Sequence, residues 1–140
     1  MIAIGSDHGG FELKNAIIKY FADEDFKDFG CYSDESCDYP DYARPVAEAI
    51  ISGECDKGIL VCGTGIGMSI AANRFKGIRA SHCTDLFSAK VTREHNDSNI
   101  LCLGARITDE KLALEMVKIW LETPFSDEDR HIRRIEKIDG

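Results

Sequence analysis

The segment Lys57-Gly58-Ile59-Leu60-Val61-Cys62, running directly into Gly63-Thr64-Gly65-Ile66-Gly67, restricts this chain more than any other. A short apolar run without polar alternation predicts a strand covered on both faces, which is the mark of a parallel sheet between layers of helices. Three alternate glycines, then Met68 to Asn73 with its alanines, predict a tight turn opening a helix. The same order recurs along the chain. Ile2-Ala3-Ile4-Gly5 ends in Ser6-Asp7-His8-Gly9-Gly10, after which Leu13, Ile17, Tyr20 and Phe21 stand at helical spacing. A weak strand at Lys27-Asp28-Phe29 ends at Gly30 and meets an acidic loop through Asp41. Pro40 favours an extended residue before it, with a helix through Val46, Ala49 and Ile50 after it. Ile78 to Ser81 and Asn99 to Leu103 read as strands flanking a helix from Asp85 to Glu94. From Asp109, Leu112, Met116, Val117 and Trp120 share one helical face to about Leu121. A terminal segment places Ile132, Ile135 and Ile138 three residues apart. Five short strands with helices between them describe an α/β chain with a doubly wound parallel sheet, three layers deep. Ligands bind such sheets beyond the carboxyl ends of the strands, so the loops at 6–10 and 62–67 are the first candidates.

At 140 residues the chain has room for one domain, 1–140, with a core that needs neither disulfides nor a metal. Its 25 acids against 17 bases give a net charge of −8 with no basic stripe. That excludes nucleic acid and anionic membrane surfaces as natural partners, and it requires any anionic ligand to be met by locally concentrated cations. No apolar run approaches the roughly 20 residues of a membrane span. The N-terminal residues carry no basic region before Asp7, so a cytoplasmic location is expected. The six cysteines form no Cys-x-x-Cys pair or zinc spacing and read as free thiols in a reducing compartment.

Among them Cys62 stands apart, at a strand end beside a helix N-terminus, where a thiolate is favoured. Cys102, Cys55, Cys31 and Cys37 fit small core residues better, and Cys83 beside His82 is an incidental loop thiol or a second reactive pair. The glycine loop is neither a dinucleotide fingerprint nor a P-loop; its N–H groups suit an anion or a plain tight turn. Thr64 either donates its hydroxyl to the sulfur or caps the next helix. Asp7, taken alone, reads as a helix cap, while His8 suits a phosphate oxygen. Arg93-Glu94-His95-Asn96-Asp97, just before the fifth strand, is expected to reach the same crevice, with His95 as a proton-transfer group. Arg106, Arg130 and Arg134 are the cations suited to a phosphate dianion, the last two on one face of a helix. Arg133 belongs to a solvated face.

Six segments in register resemble the ribose-5-phosphate isomerase B family, which also includes galactose-6-phosphate and allose-6-phosphate isomerases. They are Ser-Asp-His-Gly-Gly at 6–10, Asp-Tyr-Pro-Asp-Tyr-Ala at 38–43, and Cys-Gly-Thr-Gly-Ile-Gly with Ser-Ile-Ala-Ala-Asn at 62–73. Glu-His-Asn-Asp follows at 94–97, Gly-Ala-Arg at 104–106 and Arg-His-x-x-Arg at 130–134. The resemblance spans the whole chain and implies a Rossmann-like three-layer αβα sandwich with a five-stranded parallel sheet. It implies aldose–ketose isomerisation of a sugar phosphate through a cis-enediolate, with no metal or other cofactor. On that basis Cys62 is the base, helped by Thr64. The substrate is held by Gly63, Thr64, Gly65, Ile66 and Gly67. His95, oriented by Asp7, opens the sugar ring and Asn96 holds hydroxyls. His8, Arg106, Arg130 and Arg134 match the phosphate end, and Tyr42 matches an aromatic residue near the substrate. The resemblance further implies a homodimer, able to pair into a tetramer, with sites between subunits and the C-terminal helical segment at about 126–139 packed on a partner. Part of the family uses a carboxylate further along as base; Ala72 and Asn73 offer none, which favours the thiol. Ribose 5-phosphate is the expected substrate. A 6-phosphohexose is the near alternative and a non-catalytic sugar-phosphate sensor the distant one. A flavodoxin-like carrier is disfavoured because no aromatic-flanked flavin loop is present.

Overall fold

The computed structural model describes residues 1–140. Five parallel strands, β1 (Ile2–Ser6), β2 (Phe26–Asp28), β3 (Lys57–Cys62), β4 (Ala80–His82) and β5 (Ile100–Gly104), lie in the order β2-β1-β3-β5-β4. Helices α1 (Phe11–Tyr20), α2 (Pro40–Ile51), α3 (Ile66–Ala72), α4 (Leu86–Asn96), α5 (Glu110–Glu122) and α6 (Asp129–Asp139) connect and follow them. The side-chain alternation of the three central strands sorts the core in two. Ile2, Ile4, Ile59, Val61, Leu101 and Leu103 face Leu13 and Ile17 of α1, Ala89 of α4, and Met116, Val117 and Trp120 of α5. Ala3, Leu60, Cys62, Ile100 and Cys102 face Ala43, Val46 and Ala47 of α2 and Met68 and Ala72 of α3. The expected three-layer αβα sandwich is therefore the observed one. No helix is long and apolar enough to cross a membrane.

Strand and helix boundaries move by one to three residues from the sequence expectation, the largest change being the last helix, which starts at Asp129. Tyr39 is a correction. It is not extended but helical (φ −58°, ψ −34°), because its carbonyl accepts from the Tyr42 and Ala43 N–H groups while Pro40 takes the first helical position. Pro at that position fits a helix start, since its missing N–H would be unbonded there anyway.

Strand order reverses between β1 and β3, so the crevice opens at their carboxyl ends. Two glycines let the loops there close together. A Cβ on Gly10 would lie 2.4 Å from the Val61 carbonyl oxygen. Gly65 has φ +83°, and a Cβ there would also meet the His82 ring at 2.7 Å, so a side chain is excluded on both counts.

Candidate active site

Cys62 is the last residue of β3 and is 5% exposed. Its sulfur accepts from the Gly65 N–H at 3.1 Å, and the Thr64 hydroxyl accepts from the Ile66 N–H at 3.3 Å. The Thr64 hydroxyl thus serves the first N–H of the next helix, whose N-cap is Gly65, and not the sulfur, which is held by backbone. Asp7, 8% exposed, likewise caps a short turn at His8–Gly10, its carboxylate accepting from the Gly10 N–H at 3.1 Å. No hydrogen bond joins it to His95.

The end of β1 abuts this loop. A Cβ on Gly9 would stand 3.4 Å from the Gly63 nitrogen, and one on Gly63 would stand 3.2 Å from Nη1 of Arg106, so the guanidinium lies over the glycine loop. The Arg106 N–H donates to the Gly63 carbonyl at 2.9 Å, which fixes the start of that side chain. Nδ1 of His8 accepts from the Cys37 N–H at 3.2 Å, which leaves the Nε2 hydrogen free to donate. His8, Gly9, Arg106 and Thr108 wall a cavity of about 380 Å³ together with Glu12 and Glu110. The Thr108 hydroxyl is buried there without a partner, a donor the sequence reading did not mark. Imidazole, guanidinium and hydroxyl together are a donor set for an oxyanion, in an otherwise acidic protein. Tyr42 packs at the edge of the core with its ring against Gly30. Burial pushes its hydroxyl above the usual phenol range, with the Cys37 and Cys31 thiols adding to the effect.

His95 and Asn96 are elsewhere. They end α4, which runs back against the strands, so they sit at the amino end of the sheet beside the start of β5. Cys62 pairs in register with Gly104 at the other end of β5. The five residues of β5 alone separate the two ends by about 13 Å. The expectation that residues 93–97 reach the crevice of their own chain is therefore wrong. A residue just before a parallel strand lies at the end opposite to one just after it. Arg93 is buried and occupied, donating to Asp97 at 2.9 Å and to the Ser98 carbonyl at 2.5 Å.

His95 has a neighbour the sequence reading passed over. His131 of α6 stacks on it with ring centroids 4.2 Å apart and planes 31° apart, and is itself buried, with Nδ1 2.8 Å from the Ser126 hydroxyl. Burial pushes the His131 imidazole below its ordinary range, and His95 adds to this. Arg130 and Arg134 are exposed on the same helix. Arg130 is paired with Glu128 at 2.9 Å, and that guanidinium holds the Glu128 carboxyl below its usual range. The signal for His131 was present, since it stands inside the Arg-His-x-x-Arg segment between the two arginines.

The other thiols divide. Cys55, Cys83 and Cys102 are core residues; burial raises all three, Cys102 most. Cys31 and Cys37 are not in either core cluster but lie by Ser6 and His8.

The sequence profile of the ribose/galactose isomerases matches residues 2–138. The chain belongs to this family. Ribose-5-phosphate isomerase B of Escherichia coli K12 is 46% identical over 98% of this chain and 93% of that protein. The structure of Clostridium thermocellum ribose-5-phosphate isomerase B superposes with a TM-score of 0.96 at 51% identity, covering 99% of this chain and 94% of that one. A D-erythrulose-4-phosphate isomerase of Pectobacterium atrosepticum is 42% identical over 89% of this chain and 84% of its own length. The fold of this family is thus present over the whole chain.

Proposed function

We propose that the protein interconverts D-ribose 5-phosphate and D-ribulose 5-phosphate, and that its working unit is a homodimer. The observation that carries the reading is the Cys62 sulfur, buried at a strand end and met by the Gly65 N–H inside a loop of further N–H groups. Cys62 as thiolate takes the C2 proton of the open-chain aldose, and the electron pair passes to the carbonyl as a cis-enediolate. The proton returns at C1 while the O2 hydroxyl proton passes to O1, which leaves the C2 carbonyl of the ketose. The Gly65 N–H strengthens as a donor when the sulfur holds charge, and the N–H groups of Gly63, Thr64 and Gly67 face the enediolate oxygens, that of Ile66 being taken by the Thr64 hydroxyl. One such preorganised donor is worth about 3 kcal/mol in the transition state. His8 and Arg106 hold the phosphate, Tyr42 lies along the substrate, and Asn96 meets its hydroxyls. His95 moves the proton that opens the furanose ring.

The placement of these groups supports the dimer. Cys62 and His95 lie at opposite ends of one sheet, so a two-fold pair that sets the carboxyl end of one subunit against the amino end of its partner makes two complete sites. Arg130 and Arg134 would then approach the phosphate from the partner side. Exposed apolar side chains support such a pairing: Phe87 is 76% exposed, Ile70 61% and Ile66 51%. Pairs of dimers would complete a tetramer.

The test is turnover of ribose 5-phosphate, allose 6-phosphate and D-erythrulose 4-phosphate by the purified protein in chelator. The largest kcat/KM is expected for ribose 5-phosphate. A preference for the hexose or tetrose would overturn the substrate and keep the chemistry. Binding of all three without turnover would make the protein a sensor.

A further inference from the structure

Arg79 takes no part in the chemistry proposed above, yet its guanidinium ties the ends of two helices together at the amino end of the sheet. It stands just before β4 and is half-buried. Nε donates to the Asn96 and Asp97 carbonyls at 3.0 and 3.2 Å, and Nη2 donates to the Asp97 carbonyl at 3.1 Å. Nη1 donates to the carboxylate of Asp139, the last residue of α6, at 3.0 Å. The backbone beside it is fixed as well, the Arg79 N–H donating to Oδ1 of Asn99 at 2.8 Å. Each contact answers a local need. Asn96 and Asp97 close α4, where carbonyls run out of donors within the helix. Asp139 puts a negative charge at a helix C-terminus, where the dipole disfavours it unless a cation faces it. α6 buries only His131, near its start, so Asp139 ties down its other end. Arg79, Asn96 and Asp139 line one cavity of about 480 Å³.

We propose that Arg79 is a positioning residue for the groups that the sugar phosphate meets at this end. One planar fork fixes the end of α4, which carries His95 and Asn96, and the end of α6, which carries Arg130 and Arg134. The two sets therefore keep one spacing. The inference rests on the substrate roles proposed for those four residues; the clamp itself does not. A lysine cannot reproduce it, because a single ammonium lacks the fork that meets two carbonyls and a carboxylate at once. Arg93 holds the Asp97 carboxylate from the buried side at 2.9 Å, so α4 stays in place without Arg79 and only its last residues shift. Loss of Arg79 thus acts on where His95 and Asn96 point, while the Cys62 loop at the far end of the sheet is untouched.

The experiment compares Arg79→Gln, Arg79→Lys and Asp139→Asn in the full chain by ribose 5-phosphate kinetics, C1-hydrogen exchange of ribulose 5-phosphate, and amide hydrogen exchange. Arg79→Gln should lower kcat for ribose 5-phosphate about tenfold, as for a displaced catalytic group, and keep most of the C1 exchange. Asp139→Asn, which frees α6 alone, should raise KM about threefold with kcat kept, the scale of an exposed ion pair. Amide exchange should quicken at 94–98 and at 129–139 in Arg79→Gln, but only at 129–139 in Asp139→Asn. Arg79→Lys should stay close to Arg79→Gln in kcat, and it carries the test if the glutamine variant folds poorly. Wild-type kcat in Arg79→Gln, or equal loss of isomerisation and C1 exchange, would overturn the proposal, as would full activity in Arg79→Lys. If the wild type turns over no sugar phosphate, the proposed function fails, and the amide-exchange pattern still decides whether Arg79 clamps the two helices.

Discussion

The two ends of the sheet are built by different means. At the carboxyl end, Cys62 and Asp7 are nearly buried and each takes a backbone N–H, and the loops that carry them touch through glycines that admit no side chain. At the amino end, His95, Asn96, Arg130 and Arg134 project from helix surfaces into solvent, and His95 is placed by stacking on His131. Backbone donors fixed by close packing suit charge that appears only in the transition state, because they need not reorganise. Side chains on a helix surface suit groups that must meet a second surface. In the proposed dimer the first end supplies one half of the site and the second the half that meets it from the partner subunit.

The largest effect should come from breaking the two halves separately and then mixing them. Cys62→Ser removes the base and should lower kcat by about 10³-fold with phosphate binding kept. His95→Ala should also be strongly impaired. Unfolding the two inactive variants together and refolding them should restore about a quarter of wild-type activity, since half the dimers are mixed and each has one intact site. No recovery in a mixture shown to contain heterodimers would mean that the halves do not combine across subunits.

A second measurement separates the chemistry of the ends. Ribulose 5-phosphate is open-chain, so exchange of its C1 hydrogen with solvent deuterium needs Cys62 but no ring-opening group. His95→Ala should lose about 10²-fold in isomerisation of ribose 5-phosphate but keep most of that exchange, whereas Cys62→Ser should lose both. Equal loss of exchange and isomerisation in His95→Ala would remove the ring-opening role.

The same contrast explains what was legible in the sequence. Gly58 to Cys62 and Gly63 to Gly67 are contiguous, and a buried strand feeding a glycine turn dictates its own geometry, so the crevice between β1 and β3 could be located before any coordinates. The amino end failed because position along the chain was read without direction. Residues 94–97 precede a parallel strand and so lie at the far end from Arg106, which follows it. The placement of Tyr39 failed for a local reason, two hydrogen bonds to its carbonyl outweighing the usual bias of a residue before proline. Cys31 is buried, as a cysteine is expected to be, whereas Cys37 is only half-buried, and the fold alone shows it beside His8.

The smallest effect concerns how the amino end is held, and pH isolates it. His131 is buried against His95, with the Ser126 hydroxyl and, at 3.8 Å, the Glu128 carboxylate beside it, Arg130 next to it in the chain and Arg134 one turn along. Its imidazole is held below the ordinary value of about 6.5, so the unfolded chain binds a proton there before the folded chain does. Above that value both states are neutral and the group costs no stability. As pH falls through it, the unfolded state is favoured, and the loss levels off once the folded imidazole also charges. The melting temperature of wild type should therefore decline from about pH 7 downward, and His131→Phe, which keeps a ring on His95 but cannot titrate, should flatten that decline. His131→Phe should retain most of kcat, whereas His131→Ala, which removes the ring, should lower it by about threefold to tenfold, with little change in KM, because His95 is then free to turn away. A phenylalanine variant whose melting temperature follows the wild-type curve throughout would show that the pH response lies elsewhere. An alanine variant with unchanged kcat would show that His95 is oriented by the partner surface rather than by its own α6.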